Sequence, residues 1–408
     1  ERDHARHGTA TSPVDQGKRT GRRTALLPQR ADVVIIGGGV IGASIAYHLA
    51  KRRIEAVLIE RSSICSATSC SCDGFVFMQS KKPGIHLELA LESAKRFETL
   101  EAELGAPIEY ENCGGMVIIE GSEEIPAMER YVKEQQEIGL DVTLLDKHEA
   151  RKREPALSEK IVGATYSPQD SQVNPMFLTF AFIDRAKELG ARVFTDREVT
   201  AITRTGGREW IVRTGTEEIR TALVVNAAGP FAPKIGRMVD LEIPITPRRG
   251  QLLVTETLPR LITSIFLSAK YIAAKFNPDL AQKAGEGISI EQTASGTLVL
   301  GSTREFVGYD GCVTNEGMAT IAARASQVIP RLNEVHIIRA FAGLRPYTPS
   351  GLPFLGFVEG LDGFIMAAGH EGDGIALAPI TGDLIAQLIA SGKTDIPLDA
   401  FQRGLGTP

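Results

Sequence analysis

The chain has 408 residues, 43% of them hydrophobic and 23% charged, which is the composition of a globular protein and not of a disordered or fibrous one. Its length suits two to three lobes of ordinary size. The formal net charge of −5 argues against a general nucleic-acid binder, because such proteins need surplus Lys and Arg to displace counterions. Five cysteines are too few for a disulfide scaffold in a chain of this length. We therefore expect a reducing compartment, the cytoplasm.

Residues 1–30 differ in composition from the rest of the chain. They are rich in Arg, Gly, Ser and Thr and carry more basic than acidic side chains. They contain no apolar stretch of the kind found in secretory signals. We predict a flexible basic extension, with a docking arm for a partner subunit as the alternative.

The first regular elements follow directly. Residues 31–36 form a β-branched apolar run that predicts a strand, and three glycines end it. Residues 40–51 have helical apolar spacing, and residues 56–60 predict a second strand. The stretch 33–50 lacks formal charge, but its four glycines divide it into a strand and a helix, so we reject a transmembrane span there.

Farther along the chain, amphipathic spacing predicts helices at 87–104, 129–138, 177–189, 317–329 and 375–389. Short apolar runs predict strands at 116–120, 192–194, 199–203, 210–214, 223–226, 251–255, 271–274, 297–300, 337–341 and 363–367. Elements typical of nucleotide binding thus lie at the start, the middle and the end of the chain. The alternating strands between them indicate a second, mostly antiparallel lobe.

The sequence GGGVIG at 37–42 matches the fingerprint G-x-G-x-x-G between a strand and a helix. Gly37 permits the tight turn, Gly39 lets a pyrophosphate approach the backbone, and Gly42 lets the helix pack against the strand. Glu60 stands at the end of the next strand, where a carboxylate binds ribose hydroxyls and would repel the 2′-phosphate of NADP. The pattern predicts a dinucleotide site. His48, inside the helix, is more simply a packed residue than a catalyst.

The fingerprint alone does not separate FAD from NAD, but four further segments occur in a characteristic order: SAT at 66–68, NAAG at 226–229, GLRP at 343–346 and GHEGDG at 369–374. This ensemble resembles the flavoprotein superfamily of D-amino-acid oxidase, glycine oxidase and sarcosine oxidase. Within it, the chain looks most like the group of hydrogen cyanide synthase, opine oxidase and the β subunits of dye-linked proline and hydroxyproline dehydrogenases.

The resemblance implies a mixed α/β (α+β) fold with two lobes. A Rossmann-like FAD-binding domain would be assembled from 31–80, 160–240 and 340–400. An antiparallel-sheet substrate-binding domain would comprise 81–159 and 241–339. The resemblance also implies that FAD is the cofactor and that it is held by residues of the fingerprint, the following loop and the last helix, namely Gly37, Gly39, Val40, Ile41, Gly42, Glu60, Arg61, Thr68, Ser69, Ser71, Val199, Ala228, Gly229, Gly343, Arg345, Gly372, Asp373, Gly374 and Ile375.

The same resemblance points to the substrate site. Arg345 matches the arginine that holds the substrate carboxylate in glycine-oxidase-like relatives, with a structural arginine as the alternative. Tyr271 resembles the tyrosine that closes over the substrate, unless it only packs in a strand. His370 and Tyr347 are further pocket candidates. A last group lies in a segment that reaches the edge of the active site in relatives, or that serves only as strand and turn: Glu305, Phe306 and Tyr309.

The cysteines bear on the cofactor and on metals. Sarcosine-oxidase-like members attach their flavin through a cysteine where this chain has Arg345, so we expect non-covalent FAD. Cys65, Cys70 and Cys72 have only a loose likeness to an iron–sulfur spacing and lie on the flavin loop, so we predict no metal site. Cys113 and Cys312 read as ordinary thiols.

These observations predict an FAD-dependent enzyme that oxidises the C–N bond of a small amino acid, such as proline, hydroxyproline, glycine or an opine, to an imine. One form of the hypothesis is a dehydrogenase β subunit beside chains that carry an iron–sulfur cluster or a second flavin, reaching a membrane only through these partners. A second is a self-contained oxidase that forms peroxide. A third is a non-catalytic flavin-binding subunit, against which Arg345 and Tyr271 argue.

Overall fold

The computed structural model describes residues 26–206, 209–276 and 287–405, so most of the predicted basic extension lies outside the described residues. The helices are α1 Val40–Lys51, α2 Ile85–Leu104, α3 Ile125–Glu137, α4 Lys147–Arg153, α5 Pro175–Glu188, α6 Ala232–Gly236, α7 Ala269–Phe276, α8 Asn315–Val328 and α9 Gly374–Ser391.

The strands are β1 Arg30–Ile36, β2 Ala56–Ile59, β3 Phe75–Val76, β4 Gly115–Ile119, β5 Thr143–Asp146, β6 Gly163–Ser167, β7 Ser171–Gln172, β8 Arg192–Phe194, β9 Ala201–Arg204, β10 Trp210–Thr214, β11 Glu217–Asn226, β12 Thr246–Thr255, β13 Ile265–Ser268, β14 Ser289–Gln292, β15 Leu298–Gly301, β16 Ile337–Tyr347, β17 Phe354–Phe357 and β18 Phe364–Ala368.

The first sheet is the predicted Rossmann-like one. Its main path runs β17-β18-β11-β1-β2-β8, and every pairing from β18 to β8 is parallel. β1 lies at its centre, with Val34 opposite both Val224 and Val57. Helices α1, α2, α5 and α9 cover one face, and β9, β10 and α6 cover the other. Burial on both faces explains the nearly continuous apolar sequence of β1 and β2.

The second sheet has the order β16-β12-β15-β14-β13-β4-β6-β5 and is antiparallel except for the β13–β4 pair. Helix α8 buries Ile321, Ala325 and Val328 against one face of it. The mixed α/β architecture with a Rossmann-like lobe and a largely antiparallel lobe therefore agrees with the sequence prediction.

Three segments belong to the other lobe from the one that we predicted. Helix α2 packs into the core of the first sheet through Leu87, Phe97 and Leu100, although the prediction placed 81–159 in the substrate lobe. β6 pairs within the second sheet, although 160–240 was assigned to the FAD lobe. β16 also pairs there, although its residues 340–347 fall in the range 340–400 that was assigned to the FAD lobe. Chain order cannot reveal these crossovers, because strand partners far apart in sequence decide them.

One described helix, α9, is long and apolar enough to cross a membrane by length and composition, and 61% of it is buried inside the fold. Its burial follows from its contacts with the other helices. Ser44 Oγ of α1 donates to the carbonyl oxygen of Ala378 at 2.7 Å, and Ser93 Oγ of α2 donates to that of Ala376 at 2.6 Å. These bonds hold the start of α9 at the carboxyl ends of β1 and β18, where the site lies. The stretch 33–50 is a strand, a turn and a helix, as predicted.

Candidate active site

The turn between β1 and α1 leaves no room for side chains. Gly37 has a φ of +115°, and a Cβ there would lie 2.5 Å from the carbonyl oxygen of Ala227. A Cβ on Gly42 would lie 2.0 Å from the carbonyl oxygen of Gly37. Glycine is therefore required at both positions, by backbone conformation and by contact, and the N-terminus of α1 faces the space in front of the turn.

Glu60 lies beside this turn, at the end of β2. Its carboxylate accepts the Gly38 N–H at 2.7 Å through Oε2 and the Ser62 N–H at 2.9 Å through Oε1. Each carboxylate oxygen keeps further acceptor capacity, so the group can bind hydroxyls while it orders the turn.

A cleft lies in front of the turn, and its lining extends from the glycines of the turn to Arg345 on β16. The predicted residues that line it come from both lobes: Gly37, Gly39, Val40, Ile41, Glu60, Arg61, Thr68, Ser69, Ser71, Val199, Ala228, Gly229, Tyr271, Gly343, Arg345, His370, Gly372, Gly374 and Ile375.

Two of the predicted cofactor-binding residues are not among those that line the cleft. Gly42 serves the packing of α1 against β1. The Asp373 carboxylate lies in a buried ion pair, 2.8 Å from Lys81 Nζ and 3.2 Å from His86 Nε2. The predicted cofactor contact of Asp373 is through the backbone N–H groups at the start of α9, and its side chain ties that start to Lys81 and to the first turn of α2.

The loop after β2 forms one wall of the cleft. Ser69 Oγ accepts the Val40 N–H at 3.0 Å, and Thr68 Oγ1 donates to the carbonyl oxygen of Leu344 at 2.7 Å. The loop is thereby bound to α1 on one side and to β16 on the other. Gly343 permits this approach, because a Cβ there would lie 2.1 Å from the carbonyl oxygen of Ser71.

The cysteines of this loop do not converge. Cys65 is buried, and the thiols of Cys70 and Cys72 donate to backbone oxygens of Ala67 and Ser69. Burial raises the pKa of the Cys72 thiol well above its usual range. Within the described ranges, no three His, Cys, Asp or Glu side chains are arranged to hold a metal ion.

Arg345 lies at the far end of the cleft, on a strand and not in the predicted turn. It belongs to β16, an edge strand of the second sheet, where Pro346 is tolerated because one side of the strand makes no ladder bonds. Its Nη1 donates to the carbonyl oxygen of Thr303 at 3.2 Å, and its Nη2 donates to Ser302 Oγ. A Cβ on Gly250 would lie 2.0 Å from Nη1, so glycine at that position makes the room that the guanidinium occupies.

Tyr271 lies on the same side of the cleft, in helix α7 and not in the strand predicted at 271–274. Its N–H donates to Ser268 Oγ at 3.2 Å, which is the capping pattern of a helix start. Ser268, three residues before Tyr271, was the residue in the sequence that could have indicated the helix start. Burial opposes ionisation of the Tyr271 hydroxyl, but Arg304 and Arg345 outweigh it and lower its pKa.

His370 contributes to the cleft, but its ring is engaged behind it. Nε2 lies 3.1 Å from Thr381 Oγ1, and burial lowers the pKa of His370 to about 3. The ring is therefore neutral at pH 7. This arrangement supports a role in positioning the start of α9 and not the proton transfer expected of a catalytic histidine.

Sequence reasoning missed the buried groups around Arg345. Arg248 lies directly opposite it on β12, and Arg304 stacks on the Tyr271 ring, 4.0 Å from the centroid. Glu371, which lines the cleft at a φ of +49°, accepts hydrogen bonds from both Arg248 and Arg304. The adjacent arginines at 248 and 249 were the sequence signal for a charged site, but Arg304, Arg345 and Glu371, which surround Arg248, lie far from it in sequence.

The remaining candidates are not among the residues that line the cleft. Glu305 binds Arg249 Nη2 at 2.8 Å, and the Phe306 side chain is mostly in solvent. Tyr347 lies under Arg248, whose Cζ is 4.7 Å from its ring centroid. Tyr309 stacks on Phe231, which does line the cleft.

Residues 32–388 match the profile of the FAD dependent oxidoreductase family. The chain belongs to this family of FAD-dependent oxidoreductases. It is 30% identical to the hydrogen cyanide synthase subunit HcnC of Pseudomonas aeruginosa, over 90% of this chain and 94% of the relative. It is also 30% identical to the glycine oxidase of Geobacillus kaustophilus, over 92% and 97% of the two chains.

Solved structures agree with this assignment to the FAD-dependent oxidoreductases. The crystal structure of the Geobacillus kaustophilus glycine oxidase superposes with a TM-score of 0.84 at 29% identity and covers 93% of this chain and 100% of that one. The L-proline dehydrogenase of P. horikoshii also gives a TM-score of 0.84, at 28% identity, over 92% and 97% of the two chains.

The cleft of this FAD-dependent oxidoreductase fits the flavin cofactor. The glycines at 37 and 39 leave backbone open to a pyrophosphate, with the N-terminus of α1 beside it. The carboxylate of Glu60 would hold the ribose hydroxyls. Gly372 and Gly374 bring the N-terminus of α9 to the cleft, where it would favour negative charge on a bound flavin. FAD is the cofactor of this enzyme.

Proposed function

We propose that this enzyme oxidises the C–N bond of a small amino acid to an imine. The observation that carries the proposal is Arg345, a buried guanidinium that lines the cleft beside the start of α9. A guanidinium in such a place binds a carboxylate in a planar two-point grip. The relatives named glycine oxidase and L-proline dehydrogenase support an amino-acid substrate.

The residues of this chain would bind and orient the substrate. Arg345 holds the carboxylate, which directs Cα toward the ring of the flavin. Tyr271 also lines the cleft, where the neighbouring Arg304 and Arg345 favour its hydroxyl as a hydrogen-bond partner of a charged or polar group. Bound FAD supplies the two-electron oxidation. The imine product leaves the cleft and is hydrolysed in water.

Two routes are open to the electrons. The likeness to a hydrogen cyanide synthase subunit and to a proline dehydrogenase supports the first, a cytoplasmic dehydrogenase subunit whose partners carry an iron–sulfur cluster or a second flavin. The likeness to glycine oxidases supports the second, an oxidase that reduces O2 to peroxide.

The test is anaerobic bleaching of the flavin absorbance by a panel of glycine, proline, hydroxyproline and N-substituted amino acids in both chiral forms. Bleaching by an amino acid, but not by the matching amine without a carboxylate, is the expected result. Flavin that none of these compounds reduces, in a protein that dithionite still bleaches, would contradict the proposal. Rapid re-oxidation of the reduced chain on mixing with air, with one peroxide formed per flavin, would identify the oxidase. Reduced flavin that persists in air but is re-oxidised quickly by an artificial electron acceptor would identify the dehydrogenase.

A further inference from the structure

Three buried arginines form a cluster beside the cleft, and one of them, Arg345, lines it. The exposed fractions of Arg248, Arg304 and Arg345 are 2%, 7% and 9%. Arg248 and Arg345 are direct cross-strand partners in the β12–β16 ladder, an arrangement in which like charges destabilise the sheet. The neighbourhood of Arg304 and Arg345, together with burial, lowers the pKa of Arg248 to about 8. This cluster therefore concentrates positive charge in an interior where each charge is costly.

Within the described part of the chain, the nearby carboxylates do not balance these charges. Glu371 is shared between Arg248 and Arg304, and its Oε2 also accepts the Gly372 N–H at 2.6 Å. Burial raises the pKa of Asp73, which disfavours its charge, and the charge of Asp373, which also acts on Arg304, is shared with Lys81 at 2.8 Å. Arg345 donates to a hydroxyl and a backbone carbonyl, both neutral acceptors. The cluster is thus left with more positive than negative charge.

Arg304 also has hydrogen-bond donors to spare. Among the residues that the structure describes, its buried Nε and Nη2 have no hydrogen-bond partner, and neither has Nε of Arg248. A buried charged donor without an acceptor is a costly arrangement that a ligand can relieve. Arg304 lies against the ring of Tyr271, which lines the cleft, so its charge acts within one side chain of the ligand space.

We propose that the substrate carries two carboxylates: an amino dicarboxylic acid. This rests on the proposed oxidation of an amino acid at the same site. Arg345 takes the carboxylate next to the reacting Cα, and the second carboxylate lies on the Tyr271 side, where the charge of Arg304 attracts it. One carboxylate would leave the cluster positive, whereas a second brings it close to neutrality. The second acid group is carried either by the side chain, as in an acidic amino acid, or by the nitrogen substituent of an N-(carboxyalkyl) amino acid.

The first experiment measures binding to the oxidised holoenzyme, because it does not depend on turnover. The visible flavin spectrum is titrated with succinate and malonate against propionate and acetate at constant ionic strength. We expect the dicarboxylates to bind at least ten-fold more tightly. Arg304→Gln should reduce this ratio towards one, and Arg304→Lys, which keeps the charge, should retain part of it. Arg213→Gln, which removes an arginine exposed on β10, is the matched control and should leave the ratio unchanged.

The second experiment compares anaerobic kcat/KM for glutamate with glutamine, and for N-carboxymethylglycine with N-methylglycine. A preference of ten-fold or more for the diacid in one pair supports the proposal and identifies which position carries the second carboxylate. Equal binding and equal kcat/KM for diacids and monoacids, in an enzyme that amino acids reduce, would overturn it while the proposed function stands. Selective dicarboxylate binding without reduction by any amine would support the second anion position and refute the proposed function. If Arg304→Gln does not fold, two ratios measured on the wild-type enzyme decide the proposal: the affinity for dicarboxylates over monocarboxylates, and kcat/KM for diacids over monoacids.

Discussion

Gly250→Ala tests the assignment of Arg345 without removing Arg345 itself. The new methyl group would lie 2.0 Å from Nη1 and 2.5 Å from both Cζ and Nη2, whereas an ordinary van der Waals contact begins at 3.4 Å. The contacted atoms are the far end of a flexible side chain, so the guanidinium moves and the backbone of β12 stays. The substitution therefore displaces the charge of the Arg345 guanidinium by more than 1 Å, while every charged side chain of the site is kept.

The expected effects on stability and on activity differ in size. The φ of Gly250 lies outside the left-handed region, so alanine fits the strand, and its lower unfolded-state entropy contributes about 0.4–1 kcal/mol in favour of folding. That gain offsets part of the cost of the guanidinium's shift, and the free energy of unfolding should change by less than about 1 kcal/mol. A displacement of about 1 Å in a group that orients the substrate costs on the order of 100-fold in kcat/KM.

The assay is anaerobic stopped-flow reduction of the flavin by an amino acid, with FAD content and urea unfolding measured on the same preparation. Gly311→Ala, at a glycine with open space around its Cβ position, is the control and should behave as wild type. Wild-type kcat/KM in an FAD-saturated Gly250→Ala enzyme would show that substrate binding and orientation do not depend on the present position of Arg345.

Four further outcomes are expected. Arg345→Lys should lose roughly 30-fold or more in kcat/KM while retaining FAD, because an ammonium cannot make the two-point grip; an unchanged rate would remove Arg345 from the site. Glu60→Ala should weaken FAD binding by about 1.5–3 kcal/mol, roughly 10- to 100-fold, whereas Glu55→Ala at the exposed position before β2 should not; equal flavin retention on dialysis would exclude Glu60 as the ribose ligand. Acid precipitation should release all FAD into the supernatant, because Arg345 replaces the attachment cysteine and desolvation raises the pKa of the half-buried Cys72 thiol, which disfavours the reactive thiolate; flavin in the pellet would refute this. The pKa of His370 falls from 6.5 to about 3 on folding, so its contribution to stability is complete above pH 6.5 and is lost as pH falls toward 3. His370→Gln should reduce the slope of unfolding free energy against pH in that window by about 1.4 kcal/mol per unit, and an unchanged slope would contradict this.

The dinucleotide half of the site could be predicted because its signals are local. A buried strand, a turn with glycine at 37, 39 and 42, a helix and the acidic residue Glu60 are contiguous in sequence, and each follows from backbone conformation or close packing. The structure brings Gly37 and Glu60 together through the Gly38 N–H, as this pattern requires. Helix periodicity likewise located α5, α8 and α9 to within a few residues.

The substrate half was decided by tertiary contacts. Tyr271 lies in a helix because Ser268 caps it, although its apolar neighbours suggested a strand. Arg345 lies in a strand because β16 pairs with β12 along its whole length, although Gly343 and Pro346 suggested a turn. The Asp373 side chain does not line the cleft, because the buried Lys81 and His86 hold its carboxylate.

The amino-acid sequence by itself therefore determined the FAD fingerprint, the two lobes and the residue types of the site, since these depend on local spacing and burial. Only the tertiary structure decided that Arg248, Arg304, Arg345 and Glu371 form one buried cluster. Their charges interact across strands and loops that lie up to 123 residues apart in sequence, and such distances follow from the pairing of the second sheet. The balance of charge around the substrate is a property of that pairing, because electrostatic interactions in a buried site depend on separation in space and not along the chain.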